Sequence, residues 1–214
     1  MRILAPVLAA LLTTASAHAG PVRTTDDLGH TITLPQAARR VVSLAPHLTE
    51  IVYAAGGGAA LVGVSRYSNY PAAANRLPQV GDAYALNLEA IAALKPDLVL
   101  LWGNGTSERA KAQLRALRIP VYESEIHSVE GIAEALRSIG VLLGTEAVAR
   151  QAAQQLRADW RQLGEQYAQR PPVRVFYQLW HEPLMTLNGE HLISDAIRIC
   201  GGVNVFATLP TLSS

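Results

Sequence analysis

Side chains capable of chemistry occur along the whole chain but never at a catalytic spacing. No GxSxG elbow frames a serine nucleophile, and no GxxxxGK[ST] loop is present to cradle a phosphate. His47, His127, His181 and His191 are scattered, without the HExxH or His-x-His spacing that brings two imidazoles to one metal. Cys200 is the single cysteine, so neither an intrachain disulfide nor a cysteine zinc cluster can form. It lies in the apolar run IRIC beside glycines and reads as a small buried hydrophobe. The residues predict neither catalysis nor a resident metal or cofactor.

The aromatic residues carry more information. Tyr67 and Tyr70 lie in RYSNYP, Tyr84 precedes Asn87, and Trp102 ends the run DLVLLW. Trp180 ends FYQLW and is followed by His181. Each one alone is as well explained by core packing. Together they sit at or just beyond the carboxyl ends of expected strands, where open α/β sheets bind their ligands. The set predicts a cleft lined with flat amphipathic faces. His47 follows Pro46 at a strand-to-helix turn, as a cleft residue or as a solvated or capping histidine.

The elements that must position these residues alternate in period. Residues 40–44, 61–64, 97–102 and 119–122 read as buried strands. Helices are expected over 48–55, from the Asn87 cap to Leu94, from Thr106 or Ser107 to Leu117, and from the Ser128 cap to Leu143. Gly56, Gly57 and Gly58 follow a helix and precede a strand, so they form a helix end and not a dinucleotide loop. Such alternation predicts βαβ units and a mostly parallel sheet. Residues 145–169 break the pattern. With Thr145 as cap and Val148, Ala152, Leu156, Trp160, Leu163 and Tyr167 as an apolar stripe, they predict one long helix of about 36 Å. Pro171 and Pro172 stop it, Val173 to Trp180 reads as a fresh strand, and Leu192 to Ile199 as a helix. A second α/β unit begins there with too few elements to close a sheet, which predicts a piece of a longer protein.

Composition narrows the class. The chain has 214 residues, 50% hydrophobic and 16% charged, which excludes a disordered chain. A formal charge of +1 gives no footprint for nucleic acid. Arg2, the apolar run from Ile3 to Leu12 and the Ala17-His18-Ala19 site form the three parts of a secretory leader over residues 1–19. No later segment reaches the roughly 18 uninterrupted apolar residues of a membrane span. The mature protein is expected to be exported and soluble.

VVSLAPHLTEIVYAAGGGAALVGVSRYSNYP, VGDAYALNLEAIAALKPDLVL, PPVRVFYQLWHEPLMTLNG and ICGGVNVF, in that order, resemble the periplasmic cobalamin-binding proteins of ABC importers. Those belong to the wider group that binds cobalamin, iron-siderophores and haem. The resemblance covers about residues 20–208. It implies an α/β fold of two Rossmann-like lobes joined by one long backbone helix: a first lobe over 20–144, the helix over 145–169, and the incomplete start of the second lobe over 170–214. It implies a corrinoid held between the lobes, with Tyr67 and Trp102 matching aromatics that pack on the ring, Trp180 in the segment where the second lobe adds its contacts, and Tyr84 supplying a face where one family member has Trp in place of Ala83. His181, beside Trp180, completes the candidate ligand-binding set. Glu89 in NLE matches the acid of the first lobe that docks on the membrane permease, while its counterpart in the second lobe would lie beyond Ser214. A monomer that transports cobalamin without turnover is therefore expected. The alternatives are a haem or iron-siderophore receptor, with Tyr67 or His181 on the metal, and an enzyme or sensor built on the same lobes.

Overall fold

The computed structural model describes residues 20–82 and 85–211, so the expected leader and Tyr84 lie outside the described residues. The chain opens with an antiparallel hairpin, β1 (Val22–Thr25) and β2 (Thr31–Leu34). β3 (Val41–Ser43), α1 (Pro46–Ala54), β4 (Leu61–Val64), α2 (Leu88–Ala93), β5 (Leu98–Trp102), α3 (Glu108–Ala116) and β6 (Val121–Ser124) follow. The four strands β3 to β6 form a parallel sheet in the order β4-β3-β5-β6.

The unbroken apolar run of β5 has a direct cause. Successive side chains of a strand point to opposite faces, and both faces of this sheet are covered. Leu98 and Leu100 join the cluster with Leu48 and Ile51 of α1, while Val99 and Leu101 join Ile91 of α2 and Leu114 of α3. Polar caps fall where the sequence placed them: Asn87, Ser107 and Ser128 accept from the backbone N–H groups of Ala90, Ala110 and Gly131. α1 ends at Gly56, whose φ of +83° suits a residue without a Cβ.

α4 (Val129–Leu143) and α5 (Glu146–Tyr167) form a tight helical pair. Their axes approach at Gly140, where an added Cβ would meet Ala149 Cβ at 2.3 Å. This contact turns Ala149 and Ala153 inward as the buried residues of α5. The expected stripe is not the buried face: Val148 and Leu163 are exposed, and Ala152 and Leu156 are half-buried. Thr145 stands at the N-cap position of α5, where its carbonyl accepts from Ala149 N–H, but its side chain makes no capping bond. Its N–H closes the last turn of α4 on the Gly140 carbonyl beside left-handed Gly144, and its Oγ1 is buried without a partner. The Arg157 guanidinium of α5 holds Glu130 at the start of α4, with Nε 2.8 Å from Oε2.

The chain after α5 departs from the expected single strand over 173–180. β7 (Val173–Val175) is short, and β8 (Trp180–His181) turns back on β9 (Leu184–Met185) as a hairpin. Thr186 Oγ1 donates to the Tyr177 carbonyl and Leu179 N–H to Met185, which draws residues 176–179 out of the strand. α6 (Leu192–Ile199) leads into β10 (Gly202–Asn204), which pairs parallel with β7. Asn204 donates to the Leu187 carbonyl and to Ser194 Oγ, tying α6 to this pair. Cys200, expected buried, is exposed because it follows the last turn of α6, away from buried Ser194. α5 thus lies on α4 through its first half and approaches α6 at Gly164, near Ile199.

Candidate ligand cleft at the strand ends

Because β3 to β6 are parallel, their carboxyl ends share one edge of the sheet. Past that edge the chain continues from β3 to His47, from β4 to Tyr67, from β5 through Trp102 to Gly103, and from β6 to Glu125. Trp102 is 43% exposed although it ends a strand whose other residues are buried. Its neighbours are tied down. Gly103 N–H donates to the Ser124 carbonyl, and Asn104 N–H donates to Glu125 Oε2 at 2.8 Å. Glu125 N–H in turn donates to Asp27 Oδ2 at 2.9 Å. Asp27 also accepts from the hydroxyls of Tyr122 and Ser124. Burial, then the Asp27 carboxylate, holds the Tyr122 phenol well above its ordinary range, so it stays a donor.

Trp102 stands on the rim of a cavity of about 670 Å³. Its lining is mostly apolar, with Ile51 from α1, Leu136 from α4 and Leu156 from α5, beside Glu50 of α1, Gln155 and Asp159 of α5, and His191 and Leu192 at the start of α6. The cavity therefore lies between the four-stranded unit and the C-terminal βαβ piece. The His47 ring meets the Trp102 indole edge-on, centroids 5.9 Å apart and planes at 89°. Burial lowers the His47 pKa, against opposing pulls from Glu125 and Asp27. His191 Nδ1 accepts from Ile193 N–H at 3.1 Å, which requires that nitrogen to be unprotonated. Burial, then His127, lowers its pKa as well. Burial thus biases both imidazoles toward the neutral form in a mostly apolar cavity that is also lined by Glu50, Gln155 and Asp159.

Tyr67 lies on the same edge in the loop after β4, 71% exposed and with φ of +69°. It does not line the cavity, whereas Tyr70 does. Trp180 and His181 are not brought there either. They belong to the β8–β9 hairpin and are exposed, their rings 5.7 Å apart, and Trp180 Nε1 donates to the Glu182 carbonyl. Glu89 is exposed in the first turn of α2, behind the Asn87 cap. The cavity residues that sequence reasoning left open or missed include His47, Ile126, His191 and the polar side chains of Glu50, Gln155 and Asp159. The first two follow strands β3 and β6 by a few residues, so the strand-end rule reaches them; nothing local marks His191.

Among the described residues, no set of three His, Cys, Asp or Glu side chains is arranged to hold a metal ion. No helix of the described residues is long and apolar enough to cross a membrane.

Residues 41–214 match the periplasmic binding protein family. A vitamin B12-binding protein of Vibrio cholerae serotype O1 is 42% identical over 173 residues, 81% of this chain and 63% of that relative. The chain thus spans about 63% of the length of such curated relatives. The crystal structure of the periplasmic vitamin B12-binding protein of Vibrio cholerae is similar with a TM-score of 0.75 at 40% identity, over 83% of this chain and 69% of that one. A periplasmic haem-binding protein from Roseiflexus sp. RS-1, in apo form, is similar with a TM-score of 0.68 at 26% identity, over 82% of this chain and 69% of that one. By its match, its parallel sheet and its long connecting helix, this chain belongs to the periplasmic binding protein family.

Proposed function

We propose that this protein captures a corrinoid of the cobalamin class in the cleft at the strand ends and delivers it, unreacted, to an ABC importer. The observation that carries the reading is Trp102, an indole left 43% exposed on the rim of a mostly apolar cavity, in a chain 42% identical to a vitamin B12-binding protein. A corrin ring offers broad apolar faces, and flat aromatic side chains match them. Tyr67 on the same edge adds a second aromatic surface. Trp180 and His181 contribute from the hairpin side where the ligand extends beyond the cavity. The leader pattern of residues 1–19 supports export to the periplasm, where the protein acts as a soluble monomer. Exposed Glu89 supports contact with a basic residue of the permease.

Haem is the competing ligand, because Tyr67 and His181 are both exposed and both residue types ligate haem iron. Titration of the protein with cyanocobalamin, haemin and a ferric siderophore separates the readings. Calorimetric heat and shifted corrinoid bands with cyanocobalamin are the expected result. A Soret shift with haemin alone, or no response to any corrinoid, overturns the corrinoid assignment.

A further inference from the structure

Four hydroxyls are buried together beneath the turn that carries Tyr67. Ser43 ends β3, Thr49 lies in α1, and Ser65 and Ser68 flank the turn, and all four are buried. Thr49 Oγ1 donates to Ser43 Oγ at 2.9 Å and stands 3.1 Å from Ser68 Oγ. Ser68 Oγ is 3.1 Å from Ser65 Oγ, and Ser43 Oγ donates to the Ala45 carbonyl at 3.1 Å. Each hydroxyl carries one proton. Thr49 Oγ1 is the central donor, within reach of Ser43 Oγ, Ser68 Oγ and the Ala45 carbonyl, and Ser68 Oγ pairs onward with Ser65 Oγ, so every one of the four hydroxyl oxygens has a partner. An apolar quartet would fill the same space without desolvating any polar group, so such a network tells through geometry.

The geometry it fixes is an unusual one. Tyr67, with φ of +69°, is in the left-handed region that side chains with a Cβ disfavour. Its loop is fastened on both sides: Ser65 N–H donates to the Ser43 carbonyl, Arg66 N–H to Gly81, and Ser68 N–H to Ser65. Release of this turn would let Tyr67 relax to an ordinary backbone conformation and swing its ring away. We propose that the Ser43–Thr49–Ser68–Ser65 network is a positioning device that holds the Tyr67 turn in its left-handed form. Its consequence for the ligand rests on the corrinoid reading of the cleft; the turn itself does not.

Thr49→Val keeps the shape of the side chain and removes the central hydroxyl, and Ser68→Ala is the milder variant should Thr49→Val fail to fold. In the unliganded protein, amide hydrogen exchange at Arg66 and Ser68 is expected to accelerate about tenfold or more relative to amides of β5, since local opening sets those rates. Unchanged relative exchange in both variants overturns the proposal. In cyanocobalamin titrations, Thr49→Val is expected to weaken binding about three- to tenfold in the parent protein and not at all in a Tyr67→Ala background. Equal losses in both backgrounds overturn the role in positioning Tyr67. A parent protein that binds no corrinoid refutes the ligand reading alone, and the exchange rates still decide whether the network holds the turn.

Discussion

A Cβ placed on Gly105 would stand 2.0 Å from Cε3 of the Trp102 indole. The ring occupies the space that any other residue at 105 would need, so the Gly103–Gly105 turn and the indole form one unit. Gly105→Ala is expected to push the indole off its seat. Binding of cyanocobalamin should weaken by about 0.5 to 1.5 kcal/mol, the worth of one aromatic contact beyond its area. Tryptophan emission and calorimetry on the same sample read the change. Unaltered emission and affinity would show that the turn yields instead of the ring.

Exposure separates cleft aromatics from core aromatics. Trp102→Ala and Tyr67→Ala are each expected to weaken corrinoid binding by about 1 to 3 kcal/mol. Neither should show the roughly 3 to 5 kcal/mol loss of stability that truncating a buried aromatic brings. Urea melts beside the titrations provide the check, and a large stability loss with intact affinity would return these residues to a packing role.

Glu89 is tested through transport. Glu89→Arg is expected to leave corrinoid affinity unchanged while reducing permease docking and uptake, because exposed rim charges act on encounter and orientation. A compensating acidic change on the permease should recover part of the loss, and added salt should weaken the parent contact. Normal uptake by Glu89→Arg would leave the residue as a first-turn acid that favours the helix dipole.

Burial depresses the pKa values of His47 and His191 below the ordinary 6.5. As pH falls through about 6.5 the unfolded chain takes up protons that the folded protein still refuses, so stability is lost toward acid. The contribution is present in full above that value. Urea midpoints should therefore drop between about pH 7.5 and 5.5, and His47→Gln with His191→Asn should flatten the dependence. A slope equal to that of the parent would place the acid sensitivity elsewhere.

Two effects oppose each other at Gly140. Ala in its place favours the helix by about 1 kcal/mol. Its Cβ would lie 2.3 Å from Ala149 Cβ, an atom fixed to backbone that cannot rotate away. Overpacking of this kind costs about 1 to 3 kcal/mol, so Gly140→Ala is expected to destabilise the protein on balance. Adding Ala149→Gly should recover stability in thermal or urea melts. A more stable single variant would mean that α4 and α5 separate without penalty.

Local signals were legible wherever a short segment decides its own structure. DLVLLW reads as a two-faced buried strand because every position is apolar, and Asn87, Ser107 and Ser128 each satisfy an N–H three residues away. The parallel sheet and the position of Trp102 at its carboxyl edge follow from that alternation. What remained illegible depends on residues far apart in the chain. Gly140 of α4 selects Ala149 and Ala153 as the buried face of α5, over the larger residues whose spacing predicted a stripe. Thr145 keeps the N-cap position of α5, but its hydroxyl is buried without a partner and makes no capping bond. Thr186 and Met185 fold the run FYQLW into a hairpin, which carries Trp180 and His181 away from the cavity that Trp102 borders. The meeting of His47, Trp102 and His191 around one cavity, and of Ser43, Thr49, Ser65 and Ser68 under Tyr67, exists only in three dimensions. Residue type and periodicity report what a side chain prefers within a few positions, whereas these groups are set by which helices and loops the core brings together.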